Sequence, residues 1–217
     1  MHAFAIIFDM DGTLLDNNPY HLQAWKKFYE AHGRTLSDDE YLRSISGLPN
    51  STIISRFFGG EIGTDEITRY MEEKEAHYRA LYAPHIRPID GLIAFLKKLQ
   101  DEQIPAAIAT SAIKVNIDFA MNALGLWNYF DAVIDTSMVS KGKPDPEIYL
   151  KCASALDRRA AQCVVIEDSL AGIKGANAAG MKVVAITTAH TAAELQPHDL
   201  AISDYNGLEP SALAELF

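Results

Sequence analysis

The chain has 217 residues, of which 48% are hydrophobic and 22% charged, a composition that excludes a disordered or collagen-like protein. Its formal net charge is −10 and it has no basic cluster, so we expect no nucleic-acid partner. No apolar run approaches the roughly 18 residues needed to cross a bilayer, so no membrane partner is expected either. The only cysteines are Cys152 and Cys163, which favours two buried thiols in a cytoplasmic, reducing compartment. The sequence carries no signal that sets the oligomeric state, and a monomer is the default expectation.

Six short apolar segments have the character of buried strands that end at turn or polar residues. They span residues 3–8, 106–110, 132–135, 163–167, 183–186 and 200–202. Helices with one apolar stripe are predicted between them, over 91–103, 115–124, 146–156 and 170–179. Strands that alternate with helices of this length favour right-handed crossovers. The predicted fold class is therefore α/β, with a doubly wound, Rossmann-like parallel sheet.

Residues 16–87 interrupt this alternation between the first and second strands. Helical patterns are predicted there over 19–32, 38–45, 52–58 and 64–82, without a convincing strand. Pro19 suits the first turn of a helix, and Ser37 with Glu40 matches a capping box. We expect an inserted all-helical cap domain (16–87) and a core domain formed by residues 1–15 and 88–217. The insert follows the first strand, beside the strand ends where open parallel sheets bind ligands.

Polar side chains stand at the carboxyl ends of the predicted core strands or in the segments that follow them. They are Asp9, Asp11, Thr110, Ser111, Lys143, Glu167 and Asp168. In a doubly wound sheet these side chains converge on one edge. Carboxylate oxygens suit Mg²⁺, and an aspartate can attack a phosphorus atom once the cation and Lys143 neutralise the excess negative charge. The metal, the ammonium group and the Thr110 hydroxyl would then stabilise the transferring phosphoryl group.

The same residues lie in four ordered motifs that resemble those of the haloacid dehalogenase superfamily. The motifs are DMDGTL (9–14), TS (110–111), GKPDPEIY (142–149) and IEDSLAGI (166–173). A lone Asp-x-Asp pair is weak evidence, whereas four motifs in order across the chain are specific. The helical insert after the first motif resembles the subclass that includes β-phosphoglucomutase and the phosphoglycolate or sugar-phosphate phosphatases.

Carried over by position, the resemblance implies that Asp9 is a nucleophile that forms an aspartyl-phosphate. Asp11 would be the acid and base, and its presence argues for phosphorus chemistry because the dehalogenases proper lack this second aspartate. Thr110 would hold a phosphoryl oxygen, and Ser111 would bind substrate. Lys143 would bridge the nucleophile and the phosphate. The implied magnesium ligands are Asp9, Asp11, Glu167 and Asp168.

In the insert, the resemblance marks His21, Asn50 and Lys74 as candidate substrate-binding residues. His21 lies where β-phosphoglucomutase has a histidine near its acid/base, and Lys74 falls near a lysine that contacts the sugar. Asn50 stands where the mutase has an arginine that grips the distal phosphate. A side-chain amide does not replace a bidentate guanidinium, which favours hydrolysis over the mutase reaction. The structural alternatives are a helix-face histidine for His21 and a solvated charged run for Lys74.

The sequence predicts a Mg²⁺-dependent phosphatase that acts on a small phosphorylated metabolite, with a sugar phosphate as the leading candidate. The cap would close over the substrate and exclude bulk water. The alternative is a β-phosphoglucomutase-like sugar-phosphate mutase, which shares every core motif. A catalytically inactive regulatory protein is the third hypothesis, and it predicts the loss of a motif residue, whereas all are present.

Overall fold

A computed structural model describes residues 4–45 and 48–217 of the chain. The predicted strand residue Ala3 lies outside these ranges. Within them, six strands form one sheet in the order β3-β2-β1-β4-β5-β6, and every neighbouring pair is parallel. The strands are β1 (Ala5–Phe8), β2 (Ala106–Ala109), β3 (Ala132–Ile134), β4 (Cys163–Glu167), β5 (Lys182–Ile186) and β6 (Leu200–Ile202). The predicted α/β class with a doubly wound parallel sheet is confirmed.

Helices connect the strands and form the long insert after β1. In chain order they are α1 (Asn18–Ala31), α2 (Asp38–Ser44), α3 (Asn50–Phe57), α4 (Thr64–Tyr82), α5 (Leu92–Asp101), α6 (Lys114–Leu124), α7 (Glu147–Ala155), α8 (Leu170–Ala178) and α9 (Pro210–Ala214). Single 3-10 turns lie at Ala83–His85, Trp127–Tyr129, Thr136–Met138 and Ala160–Gln162. The helix predicted over 52–58 begins two residues early, at Asn50, directly after Pro49 with its φ of −59°.

Strands β1, β2 and β4 are buried along their whole length, as continuous apolar strands in a parallel sheet should be. Cys152 on α7 and Cys163 at the start of β4 belong to one buried core cluster, and both are free buried thiols, as predicted. Burial raises the pKa of the Cys152 thiol to about 12, so it is not a nucleophile at neutral pH. The strand order reverses at β1, which lies between β2 and β4. The crevice at such a reversal is where open α/β sheets bind ligands, and Asp9 follows β1 there.

The chain divides into two compact units, which are described separately. One comprises Met1–Asp16 and Arg87–Phe217, and contains the sheet. The other comprises Asn17–Ile86, and its described elements are helical, with an aromatic core that includes Trp25 and Phe28. Pro19 lies in the first turn of α1, as predicted.

Half of the predicted capping box is present in this second unit. The Ser37 hydroxyl accepts a hydrogen bond from the Glu40 backbone N–H at 3.1 Å and caps α2.

Over the parts of the chain that the structure describes, no helix is both long and apolar enough to cross a bilayer.

Candidate active site

Asp9 is the first residue after β1, and its side chain enters the crevice beside β4. Its backbone N–H donates to the Ile166 carbonyl of β4 at 3.0 Å, and the residue is only 7% exposed. The chain then turns tightly, because the Leu14 N–H donates to the Met10 carbonyl and Gly12 adopts a φ of +77°. A glycine meets that left-handed conformation without steric cost. The loop from Asp9 to Leu15 is therefore compact and starts from a buried strand.

Lys143 joins two buried carboxylates. Its Nζ lies 2.5 Å from Asp9 Oδ1 and 2.5 Å from Glu167 Oε1, and its side chain is 6% exposed. Burial alone would lower the pKa of Lys143, but the carboxylates of Asp9 and Glu167 raise it well above its ordinary value. Lys143 thus stays charged and orients a carboxylate oxygen of Asp9.

Glu167 ends β4 and is fully buried, with hydrogen bonds to both of its carboxylate oxygens. Oε1 accepts from Lys143 and from the Tyr149 hydroxyl, which lies 2.9 Å away. Oε2 accepts from the backbone N–H and the hydroxyl of Ser169, at 2.9 and 2.8 Å. A buried carboxylate held on both oxygens has a fixed orientation. Glu167 therefore fixes the position of the Lys143 ammonium group.

Asp9, Glu167 and Asp168 form a buried acidic group that fits a metal ion. Each can offer one carboxylate oxygen, and these atoms lie within 4.8 Å of one another. Burial raises the pKa of the Asp9 carboxyl, Lys143 opposes the increase, and nearby Glu167, Asp168 and Asp11 add to it. One ammonium group thus does not balance the surrounding carboxylates. Hard oxygen donors with excess negative charge are the ligands that a divalent cation such as Mg²⁺ prefers.

Thr110 and Ser111 follow β2, the other neighbour of β1 in the sheet. Thr110 is fully buried, and its Oγ1 accepts a hydrogen bond from the Ala112 N–H at 3.0 Å. Because that oxygen accepts from the backbone, the hydroxyl hydrogen can be donated to an anionic oxygen. Ser111 is exposed beside it. Both predicted residues therefore stand at the same edge of the sheet as Asp9.

Sequence reasoning missed the roles of Tyr149, Ser169 and Gly172 around Glu167. A Cβ on Gly172 would lie 1.8 Å from Glu167 Oε1, so only glycine leaves room for this carboxylate. All three residues were visible in the third and fourth motifs, but a one-dimensional pattern does not show that they meet at one carboxylate. The available signal was their fixed spacing from Lys143 and Glu167.

In the second unit, His21, Asn50 and Lys74 meet through Glu75. Lys74 Nζ lies 2.9 Å from His21 Nδ1 and donates to Glu75 Oε1 at 2.8 Å. The Asn50 amide donates to the same Glu75 oxygen at 2.6 Å. Lys74 is 1% exposed and Glu75 3%, so the alternative of a solvated charged run is wrong for this pair.

His21 in this cluster is a neutral imidazole. Burial and the neighbouring Lys74 charge lower its pKa to about 3, although Glu75 acts in the opposite direction. Since an ammonium group only donates, Nδ1 of His21 is the acceptor and its hydrogen lies on Nε2. The ring stacks on Tyr78 with centroids 4.0 Å apart. The cluster therefore offers a fixed donor at His21 Nε2.

Comparison with known proteins gives matches along most of the chain. The family model described as haloacid dehalogenase-like hydrolase matches residues 6–186. The chain is 32% identical to validoxylamine A 7'-phosphate phosphatase of Streptomyces hygroscopicus subsp. limoneus, over 91% of this chain and 92% of that protein. It is 34% identical to β-phosphoglucomutase of Bacillus subtilis, over 84% of this chain and 82% of the mutase.

A solved structure shares the fold over the full length. A HAD hydrolase of family IA, variant 3, from Entamoeba histolytica superposes with a TM-score of 0.91 and 32% identity, covering 100% of this chain and 99% of the other. The family model spans the segment that holds all four motifs, from Asp9 to Ile173. The chain therefore belongs to the haloacid dehalogenase-like hydrolase family.

Proposed function

We propose that the protein is a Mg²⁺-dependent phosphatase of a small phosphorylated metabolite and that Asp9 accepts the phosphoryl group. The observation that carries the proposal is the contact of Lys143 with both Asp9 and Glu167, next to Asp168. This contact holds one oxygen of a buried carboxylate and places a fixed positive charge where a phosphate dianion would approach.

The reaction then has two displacements at phosphorus. An oxygen of Asp9 forms a bond to phosphorus while the ester P–O bond breaks, and the leaving oxygen takes a proton from Asp11. Asp11 next removes a proton from a water molecule, whose oxygen attacks phosphorus. The bond between phosphorus and Asp9 breaks, and inorganic phosphate is released. Lys143 and the Thr110 hydroxyl hold the phosphoryl oxygens through both steps.

Asp9 and Asp168 would hold the magnesium ion, together with the backbone carbonyl of Asp11 that the family resemblance implies. When bound, the ion neutralises the carboxylates and the charge that develops on the phosphoryl oxygens. Both oxygens of Glu167 already accept hydrogen bonds from protein groups, which favours a role for Glu167 in orienting Lys143.

The proposed substrate class is a sugar phosphate or a similar polyol phosphate. Two relatives support this choice by name, one as a phosphatase of validoxylamine A 7'-phosphate and one as a phosphoglucomutase. In the second unit, the neutral His21 and the Lys74–Glu75 pair provide fixed donors and acceptors of the kind that recognise hydroxyl groups. We therefore propose His21, Asn50 and Lys74 as contacts to the organic part of the substrate.

The second candidate function is a sugar-phosphate mutase, which the similarity to β-phosphoglucomutase favours. In that reaction the phosphoryl group passes from Asp9 to a second hydroxyl of the sugar instead of to water. Asn50 argues against it, because its amide is neutral and donates to the Glu75 carboxylate. A bisphosphate that must bind in two orientations needs a cation for its distal phosphate. Hydrolysis remains the better supported activity.

The test is phosphate release from a panel of phosphomonoesters, with Mg²⁺ and with EDTA. We expect phosphate release in the presence of Mg²⁺ and none in the presence of EDTA. Phosphate release should be lost in Asp9→Asn but kept in the surface control Asp101→Asn on α5. Phosphorus NMR of β-glucose 1-phosphate separates the two candidates: inorganic phosphate indicates the hydrolase and glucose 6-phosphate the mutase. An Asp9→Asn enzyme with full activity would overturn the proposal.

A further inference from the structure

Three consecutive carbonyl groups after Asp11 are held by distant parts of the first unit. Each accepts a hydrogen bond from a different segment of the chain. The donors are the Thr188 hydroxyl to Gly12 at 2.5 Å, the Tyr205 hydroxyl to Thr13 at 3.1 Å, and the Ile89 N–H to Leu14 at 3.0 Å. Two of the three donors are side-chain hydroxyls, whose contacts do not follow from the regular backbone hydrogen bonding of helices and strands.

The Thr188 hydroxyl is supported by the end of the sheet. Thr188 lies in the turn after β5, and its neighbour Thr187 binds the Ile202 carbonyl of β6 through its N–H at 2.9 Å and its hydroxyl at 3.2 Å. The turn therefore joins two strands to the carbonyl of Gly12. Gly12 directly follows Asp11, so this hydrogen bond fixes the first carbonyl after the proposed acid and base.

Tyr205 is held equally firmly. It is 2% exposed, and its ring lies 6.2 Å from Phe8 and 5.6 Å from Phe95, measured between centroids. Its backbone N–H donates to the Asp90 carbonyl at 2.9 Å. Burial raises the pKa of the Tyr205 hydroxyl well above its ordinary value, and nearby Asp9 and Asp168 add to the increase. The hydroxyl therefore remains a donor, beside the acidic cluster.

We propose that Thr188 and Tyr205 are positioning residues that hold the backbone after Asp11, so that the Asp11 carboxyl group is aligned for proton transfer. The inference rests on the proposed acid and base role of Asp11. Gly12 has a φ of +77° and no side chain to limit its movement, so its carbonyl needs a partner to keep one orientation. Misplacing a catalytic group by about 1 Å can cost about a hundredfold in rate.

The test compares esters with different leaving groups. An alkyl phosphomonoester needs a proton on its leaving oxygen, whereas the nitrophenolate of p-nitrophenyl phosphate leaves without one. For Thr188→Val we expect kcat/KM to fall about ten- to a hundredfold for the alkyl ester and clearly less for p-nitrophenyl phosphate. Thr188→Ser keeps the hydroxyl and should restore the wild-type ratio. Tyr205→Phe should shift the ratio in the same direction as Thr188→Val.

Matched controls separate this role from a structural one. Thr191→Val removes the hydroxyl that contacts Glu194 in the same loop and should leave the ratio unchanged. Thermal melting of each variant shows whether it is folded. The inference is overturned if both Thr188→Val and Tyr205→Phe keep the wild-type ratio of kcat/KM between the two esters. This holds whether kcat/KM falls equally for both esters or does not fall at all.

The Asp11→Asn enzyme distinguishes failure of this inference from failure of the proposed function. If Asp11→Asn shows no selective loss on the alkyl ester, the acid role of Asp11 is wrong and the proposed mechanism fails. If Asp11→Asn is selective and the Thr188 and Tyr205 variants behave like wild type, the positioning role alone is wrong.

Discussion

The carboxylate of Glu167 occupies the space that a side chain on Gly172 would need. A Cβ built on Gly172 would lie 1.8 Å from Glu167 Oε1 and 1.9 Å from its carboxyl carbon. Gly172 lies in α8, whereas Lys143 lies in the loop before α7, yet Gly172 sets how closely the buried carboxylate packs against the helix. Since Glu167 holds Lys143, the helix backbone influences the orientation of the proposed nucleophile through one carboxylate.

Gly172→Ala should therefore displace Glu167 and disturb the Lys143 ammonium group. We expect a loss of about 1–3 kcal/mol in the free energy of unfolding, because the added methyl overpacks a buried site. We also expect kcat to fall at least about tenfold, since Lys143 is no longer held in place. Gly142→Ala is the control, because its Cβ would meet nothing within 4 Å. A Gly172→Ala enzyme with wild-type kcat would show that this packing has no catalytic consequence.

Lys143→Met should remove the charge that compensates Asp9 and Glu167. Breaking a buried ion pair by removing one partner costs about 3–5 kcal/mol. We expect the free energy of unfolding, measured without metal, to fall by that amount. The rate of phosphate release should fall about 10²–10³-fold, because a fixed donor to the phosphoryl group is lost. Lys141→Met is the matched control on the same loop, where the side chain is 75% exposed. Equal effects of the two substitutions would contradict the role given to Lys143.

Asp168→Asn should weaken metal binding. The amide removes one negative charge from the acidic group, so the Mg²⁺ concentration that gives half-maximal activity should rise at least about tenfold. Asp199→Asn is the comparison, because Asp199 accepts from the Val183 N–H at 2.8 Å near the start of β5, where no metal is proposed. An unchanged Mg²⁺ requirement in Asp168→Asn would remove this residue from the ligand set.

His21 should make the second unit lose stability in mild acid. Its folded-state pKa of about 3 lies below its ordinary value of 6.5, so unfolding takes up a proton as the pH falls between these values. Stability from this group is present above pH 6.5 and decreases toward pH 3, by at most about 1.4 kcal/mol per pH unit. His21→Gln should make the loss between pH 7 and pH 5 smaller.

Trp25 lies in the second unit, so urea unfolding followed by its fluorescence in a Trp127→Phe background measures this effect on the full chain. His77→Gln serves as the matched histidine-to-glutamine control on the same unit, because His77 lies on α4. The same pH dependence in His21→Gln and wild type would show that His21 is not buried as a neutral group.

The sequence was enough to predict the sheet, because its strands are continuous apolar runs that stop at turn residues. The edge of the sheet that carries the candidate site was predictable for the same reason, since Asp9, Thr110 and Glu167 each stand where such a run ends. The burial of Lys74 was not, because a run of charged residues on a helix is normally solvated. Only the folded chain shows that α1 and α3 bring His21 and Asn50 to that run.

The contacts of the Gly12 and Thr13 carbonyls were also beyond sequence reasoning. Their hydroxyl partners, Thr188 and Tyr205, lie 176 and 192 residues further along the chain than Gly12 and Thr13. Threonine and tyrosine have no periodic or spacing signal that marks such long-range hydrogen bonds. Thr188 follows β5 and Tyr205 follows β6, two strands paired in parallel at the edge of the sheet, and the folded chain brings both hydroxyls to the first loop.

The most direct test of the account is chemical trapping of the phosphoryl group on Asp9. The enzyme is mixed with a phosphomonoester and Mg²⁺, quenched in acid during turnover, and reduced with borohydride, which converts an aspartyl-phosphate to homoserine. Peptide mass spectrometry is predicted to find homoserine at position 9, and none in Asp9→Asn. Steady phosphate release without modification at Asp9, or modification at another residue, would contradict the central claim.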